Sequence, residues 1–141
     1  MPYAYRDHSA DVAVSASGST LEETMCAMAE GVFALMVRPG QLLPRRSVEI
    51  AVEAGSEELL LVEWLAELVA QKDLVGILFC RFEAAVRVRA EGGLALRGAA
   101  WGEPLDPARH AIGVEVKGVS LAGLRCVRTD AGWEASCVVD V

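Results

Sequence analysis

An α+β domain, with two α-helices packed on one face of a mainly antiparallel β-sheet, is the fold this 141-residue sequence predicts. Three observations point to it. Two stretches carry apolar residues at helical spacing, and each opens on a hydroxyl residue able to cap a helix. Between and after them, apolar and polar residues alternate in short runs. From residue 78 onward only such alternating runs and turn residues remain, so those strands pair mostly with their sequence neighbours.

The first strand is expected over residues 12–17, where Val12, Val14 and Ala16 alternate with Ala13, Ser15 and Ser17 before Gly18. Asp11 falls in register with Ala13 and Ser15, the less apolar face. Thr20 then caps a helix, and Glu23 three residues on completes a capping box. Leu21, Met25, Met28, Val32, Leu35 and Met36 form its apolar stripe, which Pro39-Gly40 ends. Val48, Ile50 and Val52 alternate with Ser47, Glu49, Ala51 and Glu53 in a second, amphipathic strand. Ser56 caps a second helix with Glu57 and Glu58 in its first turn, where the helix dipole favours acids. That helix is apolar over most of its circumference, with Glu63 and Glu67 as its solvent stripe, and so reads as the buried central helix.

From 78 to 90 every even residue is apolar or small, and Arg81, Glu83, Arg87 and Arg89 sit at odd positions. This is a long strand with one wet face, turned by Glu91-Gly92-Gly93 into a partner at 94–98. Further strands are expected over 112–117, with Ile112, Val114 and Val116 inward, and over 124–129. After the turn Asp130-Ala131-Gly132, the last strand runs 133–139 with Trp133, Ala135, Cys137 and Val139 on one face. No linker, internal repeat or low-complexity stretch divides residues 1–141, which read as a single domain.

Composition excludes several classes of function. At 53% hydrophobic residues the chain can build a real core. Its longest apolar run, 59–70, is broken by Glu63 and Glu67 and is too short to span a bilayer. The N-terminus lacks the basic-then-apolar plan of a signal peptide, so a cytoplasmic protein is expected. The net charge of −7, with Arg45-Arg46 as the only adjacent basic pair, argues against direct nucleic-acid binding. A role in RNA metabolism would then run through a basic partner protein. Cys26, Cys80, Cys126 and Cys137 are scattered at apolar positions with no C-x-x-C pair, and read as small buried hydrophobes. Phosphate-binding glycine loops and the nucleophile elbow of hydrolases are both missing.

Three polar groupings remain. His8 and Asp11 lie three residues apart at the first strand. Glu115 and Lys117 lie two apart, hence on one face of the expected strand, where an ordinary solvated surface is the simpler reading. Asp140-Val141 forms the third. If Val141 is the natural last residue, two anions there repel unless a cation offsets them. Joined by Asp11 from another strand, they could hold a hard divalent ion through oxygen; otherwise this is a hydrated terminus.

Several separated motifs together resemble the archease family. His8-Ser9-Ala10-Asp11-Val12-Ala13 is similar to its H-T-A-D-(I/V)-(G/A) signature, with Ser9 in place of Thr. Thr20-Leu21-Glu22-Glu23-Thr24 resembles its first-helix opening, and the 59–68 helix its L-L-x-x-W-L-x-E-L pattern. Gly102-Glu103-Pro104-Leu105-Asp106 with His110 resembles G-E-x-x-D...H. Glu115-Val116-Lys117-Gly118-Val119-Ser120 resembles E-V-K-A-(I/V)-T, and Val138-Val139-Asp140-Val141 resembles the family ending. The resemblance runs from end to end. It implies a protein cofactor, not an enzyme, that activates an RtcB-type RNA ligase of tRNA splicing and RNA repair. Such a cofactor promotes guanylylation of the ligase, allows repeated turnover and broadens nucleotide use. It further implies a divalent cation, Ca2+ or Mg2+, at Asp11, Asp140 and the main-chain oxygen of Val141. His8, His110, Glu115 and Lys117 are implied to contact or activate the ligase. Two other readings compete: a metal-dependent phosphate-ester hydrolase built on Asp11, Asp140 and His8, and a metal-independent chaperone or adaptor.

Overall fold

A computed structural model describes residues 2–8 and 11–141 of the chain, residues 6–8 by their backbone alone. Among the described residues two helices and seven strands run in the order β1 (Tyr3–His8), β2 (Asp11–Gly18), α1 (Leu21–Ala34), β3 (Arg46–Ala54), α2 (Glu57–Val75), β4 (Leu78–Val88), β5 (Leu94–Glu103), β6 (Gly118–Thr129) and β7 (Gly132–Asp140). All strand pairs are antiparallel, so the fold is the α+β architecture expected.

The strands divide into two sheets where a single one was expected. One has the order β1-β2-β7-β6, the other β3-β5-β4. The helices bridge the divide: α1 packs on β2 and β4, and α2 on β3 and β6. Each helix therefore needs apolar surface on more than one side. In α2 Leu60, Leu61, Trp64, Leu65 and Leu68 are all fully buried, and its solvent stripe takes in Leu59 and Ala66 as well as Glu63. The Trp64 indole donates to Met25 O of α1 at 2.9 Å, so the largest core side chain also satisfies its polar atom. Phe33, Phe79 and Phe82 pack around one another beside it.

Local chemistry fixes the helix ends. Thr20 Oγ1 accepts from Glu23 N–H at 3.1 Å, and the Glu23 carboxylate reaches back to Ser19 N–H at 2.8 Å. Ser56 Oγ accepts from Leu59 N–H. α2 stops at Gly76, whose φ of 71° is the left-handed cap that a glycine adopts without a Cβ clash. α1 ends at Ala34, well before Pro39-Gly40, because the chain there turns to pair with a later segment: Gly113 N–H donates to Met36 O and Val114 N–H to Leu35 O. A Cβ on Gly113 would collide with Leu35 O, so only glycine permits this approach.

That later segment departs from expectation. Residues 112–117 form no strand; one isolated bridge, Val37↔Ile112, and the backbone bonds of Gly113, Val114 and Lys117 tie them to the fold. Val116 is buried as expected, but Ile112 and Val114 are 58% and 47% exposed. Two further strands are longer or newly found. β1 pairs along β2, and β6 begins at Gly118, its early part obscured in the sequence by a bulge between Ser120 and Arg125. The β4–β5 hairpin forms as read but its second strand runs on from residue 98 to Glu103, and the β7 alternation is as read, with Ala135, Cys137 and Val139 inward. All four cysteines are free; burial pushes the thiols of Cys126 and Cys137 up to about 12, as inert core residues require.

Candidate functional site

The four-stranded sheet buries one face and leaves the other open. Val14 and Ala16 of β2 and Ala135, Cys137 and Val139 of β7 point into the core. Strand alternation then puts Asp11 and Asp140 on the outer face. They are direct register partners, Asp11↔Asp140, at the end of the β2–β7 ladder. The same row continues to both sides, with His8↔Asp11 on β1 and Gly118↔Asp140 on β6. Residues from both ends of the sequence thus meet in one rung. The His8 side chain lies outside the described residues.

Side chains directly opposite on one sheet face hold their Cβ atoms about 4.5–5.5 Å apart, so two carboxylates here repel. No Lys or Arg forms an ion pair with either of them among the described residues. Gly118 flanks the rung on β6, where a Cβ would meet Asp140 Oδ2 at 3.5 Å, an ordinary contact distance. Lys117 N–H donates to Asp140 O at 2.8 Å, which pins the rung to the incoming 112–117 segment. Val141 follows, half-buried against the core.

This donor set is oxygen only: two facing carboxylates with the main-chain oxygen of Val141 one residue on. That chemistry fits a hard divalent cation such as Ca2+ or Mg2+ and not the N and S ligation of zinc. Among the described residues no group of three or more His, Cys, Asp or Glu gathers anywhere, and this rung brings together only two such side chains. Water would have to complete any coordination shell, as hard cations allow.

Of the remaining sequence-predicted residues, Lys117 touches the rung through its backbone N–H, and Glu115 and His110 are not among the residues that form it. Glu115 and Lys117 are exposed on the 112–117 segment and not on a strand face. His110 is 3% exposed and offers a partner no surface. Its ring instead belongs to a charged network of which the sequence displays only the 102–110 motif. His110 Nδ1 accepts Asp106 N–H at 2.8 Å, which places the ring proton on Nε2, 3.4 Å from Glu103 Oε2. That contact lacks hydrogen-bond geometry, so Nε2 is a buried polar atom without a hydrogen-bond partner. Glu103, also 3% exposed, accepts from Leu43 N–H at 2.7 Å and from the Arg109 guanidinium at 2.6 Å, with Arg45 beyond at 3.7 Å. The Leu43 N–H above all, with Arg109 and His110 behind it, holds the Glu103 carboxyl down at about 2 against the cost of burial. The signal for this cluster was the 102–110 motif itself, but only folding shows that Leu43 and Arg45 from across the chain complete it.

The archease protein family model matches residues 3–141. Among curated relatives, the chain is 36% identical over 141 residues to a protein archease of Methanopyrus kandleri, covering all of both sequences. It is 37% identical over 139 residues to one from Thermococcus gammatolerans, covering 96% of this chain and 95% of that one. Two solved structures share the fold. A solution structure from Methanobacterium thermoautotrophicum superposes with a TM-score of 0.82 at 24% identity over 99% of each chain. A Thermotoga maritima crystal structure, described as an archease and possible chaperone, gives 0.61 at 16% identity over 96% of this chain and 94% of that one. No helix among the described residues is long and apolar enough to cross a membrane.

Proposed function

This chain belongs to the archease family, and from that premise we propose that it is the protein cofactor of an RtcB-type RNA ligase. It activates guanylylation of the ligase, sustains repeated turnover in tRNA splicing and RNA repair, and broadens the nucleotides accepted. It does so in the cytoplasm as an activator and not as an enzyme in its own right. The observation that carries the reading is the facing pair Asp11 and Asp140, an uncompensated acidic rung at one end of a sheet whose other face is core. Two carboxylates held together by the backbone ladder are organised for a task that a solvated surface would not need.

In this reading Asp11, Asp140 and the main-chain oxygen of Val141 would hold a Ca2+ or Mg2+ ion, which would supply positive charge for phosphate oxygens. The β2–β7 ladder fixes the two carboxylates relative to each other. Lys117 N–H fixes the Asp140 backbone. The net charge of −7 suits docking at a cleft built to bind RNA and nucleotide, because opposite potentials speed encounter.

The test is direct. The guanylylated fraction of the ligase is measured with wild-type protein, with Asp11→Ala and with Asp140→Ala, each confirmed as folded. Both variants are expected to lose the stimulation. Stimulation equal to wild type by both would sink the reading, as would a ligase whose turnover number ignores the wild-type protein.

A further inference from the structure

Beside the acidic rung, but distinct from it, runs a groove of about 340 Å³ between the end of α2 and the 105–115 segment. Met36, Ile77 and Leu78 form its floor and are buried, while Leu105, Ile112 and Val114 form its walls and are exposed. Isolated exposed apolar residues are ordinary; a cluster that walls a groove marks a contact surface.

Charge says what the contact is. Two ionisable residues line the groove. The ammonium of Lys72 is buried and already held by Asp73 at 2.9 Å. Glu115 is exposed at the lip and forms no ion pair among the described residues. The open charge of the groove is therefore negative, on a chain of net charge −7. The same segment then continues from Glu115 through buried Val116 to Lys117, whose N–H holds Asp140. Groove and acidic rung are two ends of one piece of chain.

We propose that this groove binds a segment of the RNA ligase in which apolar side chains stand next to a Lys or Arg. The apolar side chains fill the space between Ile112, Val114 and Leu105, and the cation meets Glu115. Anchoring at the groove holds the ligase while the rung acts at its cleft, so affinity and activation reside in different residues. This rests on the ligase-cofactor reading above.

Binding of the cognate ligase by titration calorimetry tests it, with stimulation of guanylylation measured in parallel. The variants are Ile112→Ser/Val114→Ser, Glu115→Lys and Asp140→Asn. Val88→Ser, an exposed apolar residue at the end of β4, is the control. Loss of a central apolar anchor pair is expected to weaken binding by about tenfold or more. Glu115→Lys is expected to weaken it about fivefold at low salt and less at high salt. Asp140→Asn is expected to bind like wild type without stimulating, and Val88→Ser to match wild type in both. If Ile112→Ser/Val114→Ser binds like wild type while wild type stimulates, the groove assignment falls and the cofactor reading stands. If wild-type protein neither binds nor stimulates, both fall. If sedimentation shows a wild-type dimer that the double variant abolishes while its ligase affinity is unchanged, the groove belongs to a second copy and the ligase assignment is overturned.

Discussion

Two carboxylate centres in this molecule are built on opposite principles. Glu103 is buried and surrounded by donors: Leu43 N–H, the Arg109 guanidinium and the His110 ring all face it. Asp140 is exposed, faces another carboxylate, and meets no cation among the described residues. A buried charge survives only when compensated, so the first centre ties the 103–110 segment to Leu43 and Arg45. An uncompensated pair on a surface costs little and stays available for a ligand. Charge density alone would not separate the two; the partners do. Function is expected at the rung that lacks them and stability at the network that has them.

The contrast is broken most visibly at Glu103. Glu103→Ala empties a buried site and takes from the part-buried Leu43 N–H and the half-exposed Arg109 guanidinium the acceptor that ties them together. Its drop in Tm is expected to exceed that of any substitution at His110 or at the acidic rung, with hydrogen exchange rising across 103–110. A Tm within error of wild type would show that the network is ornamental. The pH dependence follows from the same group. Its carboxyl is lowered from 4.5 to about 2 on folding, so its stabilisation is complete above about 4.5 and is lost as pH falls towards 2. Urea midpoints measured from pH 5 to pH 2 should fall in wild type and fall less steeply in Glu103→Ala.

His110 gives a smaller break. His110→Phe fills the space but removes the acceptor of the part-buried Asp106 N–H, at a cost of about 0.5–1.5 kcal/mol for one lost hydrogen bond. Urea unfolding checks it, and the loss should be less than for Glu103→Ala. Intact stability would mean that water replaces the ring nitrogen.

What the sequence made legible follows the same division. Elements whose residues answer to a local rule were readable: the Thr20 and Ser56 caps, the glycine-turned β4–β5 hairpin, the inward alternation of Ala135, Cys137 and Val139. Ile112, Val114 and Val116 alternate like a strand, yet a strand needs a ladder partner, and the segment finds only Val37. Tyr3–His8 hid for the converse reason: its pairing with β2, and not its own pattern, makes it a strand. The split into two sheets was illegible because helices that bridge two sheets and helices that cover one carry the same apolar periodicity. Asp11 and Asp140 are linked in the sequence chiefly through the family resemblance. Their separation by nearly the whole chain carries no sign of a shared rung. The Glu103 network needed residues from two loops, 43–45 and 103–110, that nothing in the order of residues connects.

The smallest effect sharpens the contrast most. Asp140→Asn removes one of two like charges held face to face on the sheet and leaves the backbone ladder and the Lys117 N–H bond untouched. Relief of that repulsion is expected to raise stability by about 0.2–1 kcal/mol at low ionic strength, where substitution at Glu103 lowers it. The gain should shrink in 1 M salt, which screens exposed charges beyond about 3 Å. Millimolar Ca2+ should reverse the order. A cation bound only by the folded wild type raises its Tm by mass action, and Asp140→Asn, lacking one ligand, should respond much less. Thermal melts of both proteins in chelator and in Ca2+ or Mg2+ give all four numbers in one experiment. If Asp140→Asn loses stability in chelator, the rung is structural like Glu103 and the distinction between the two centres collapses.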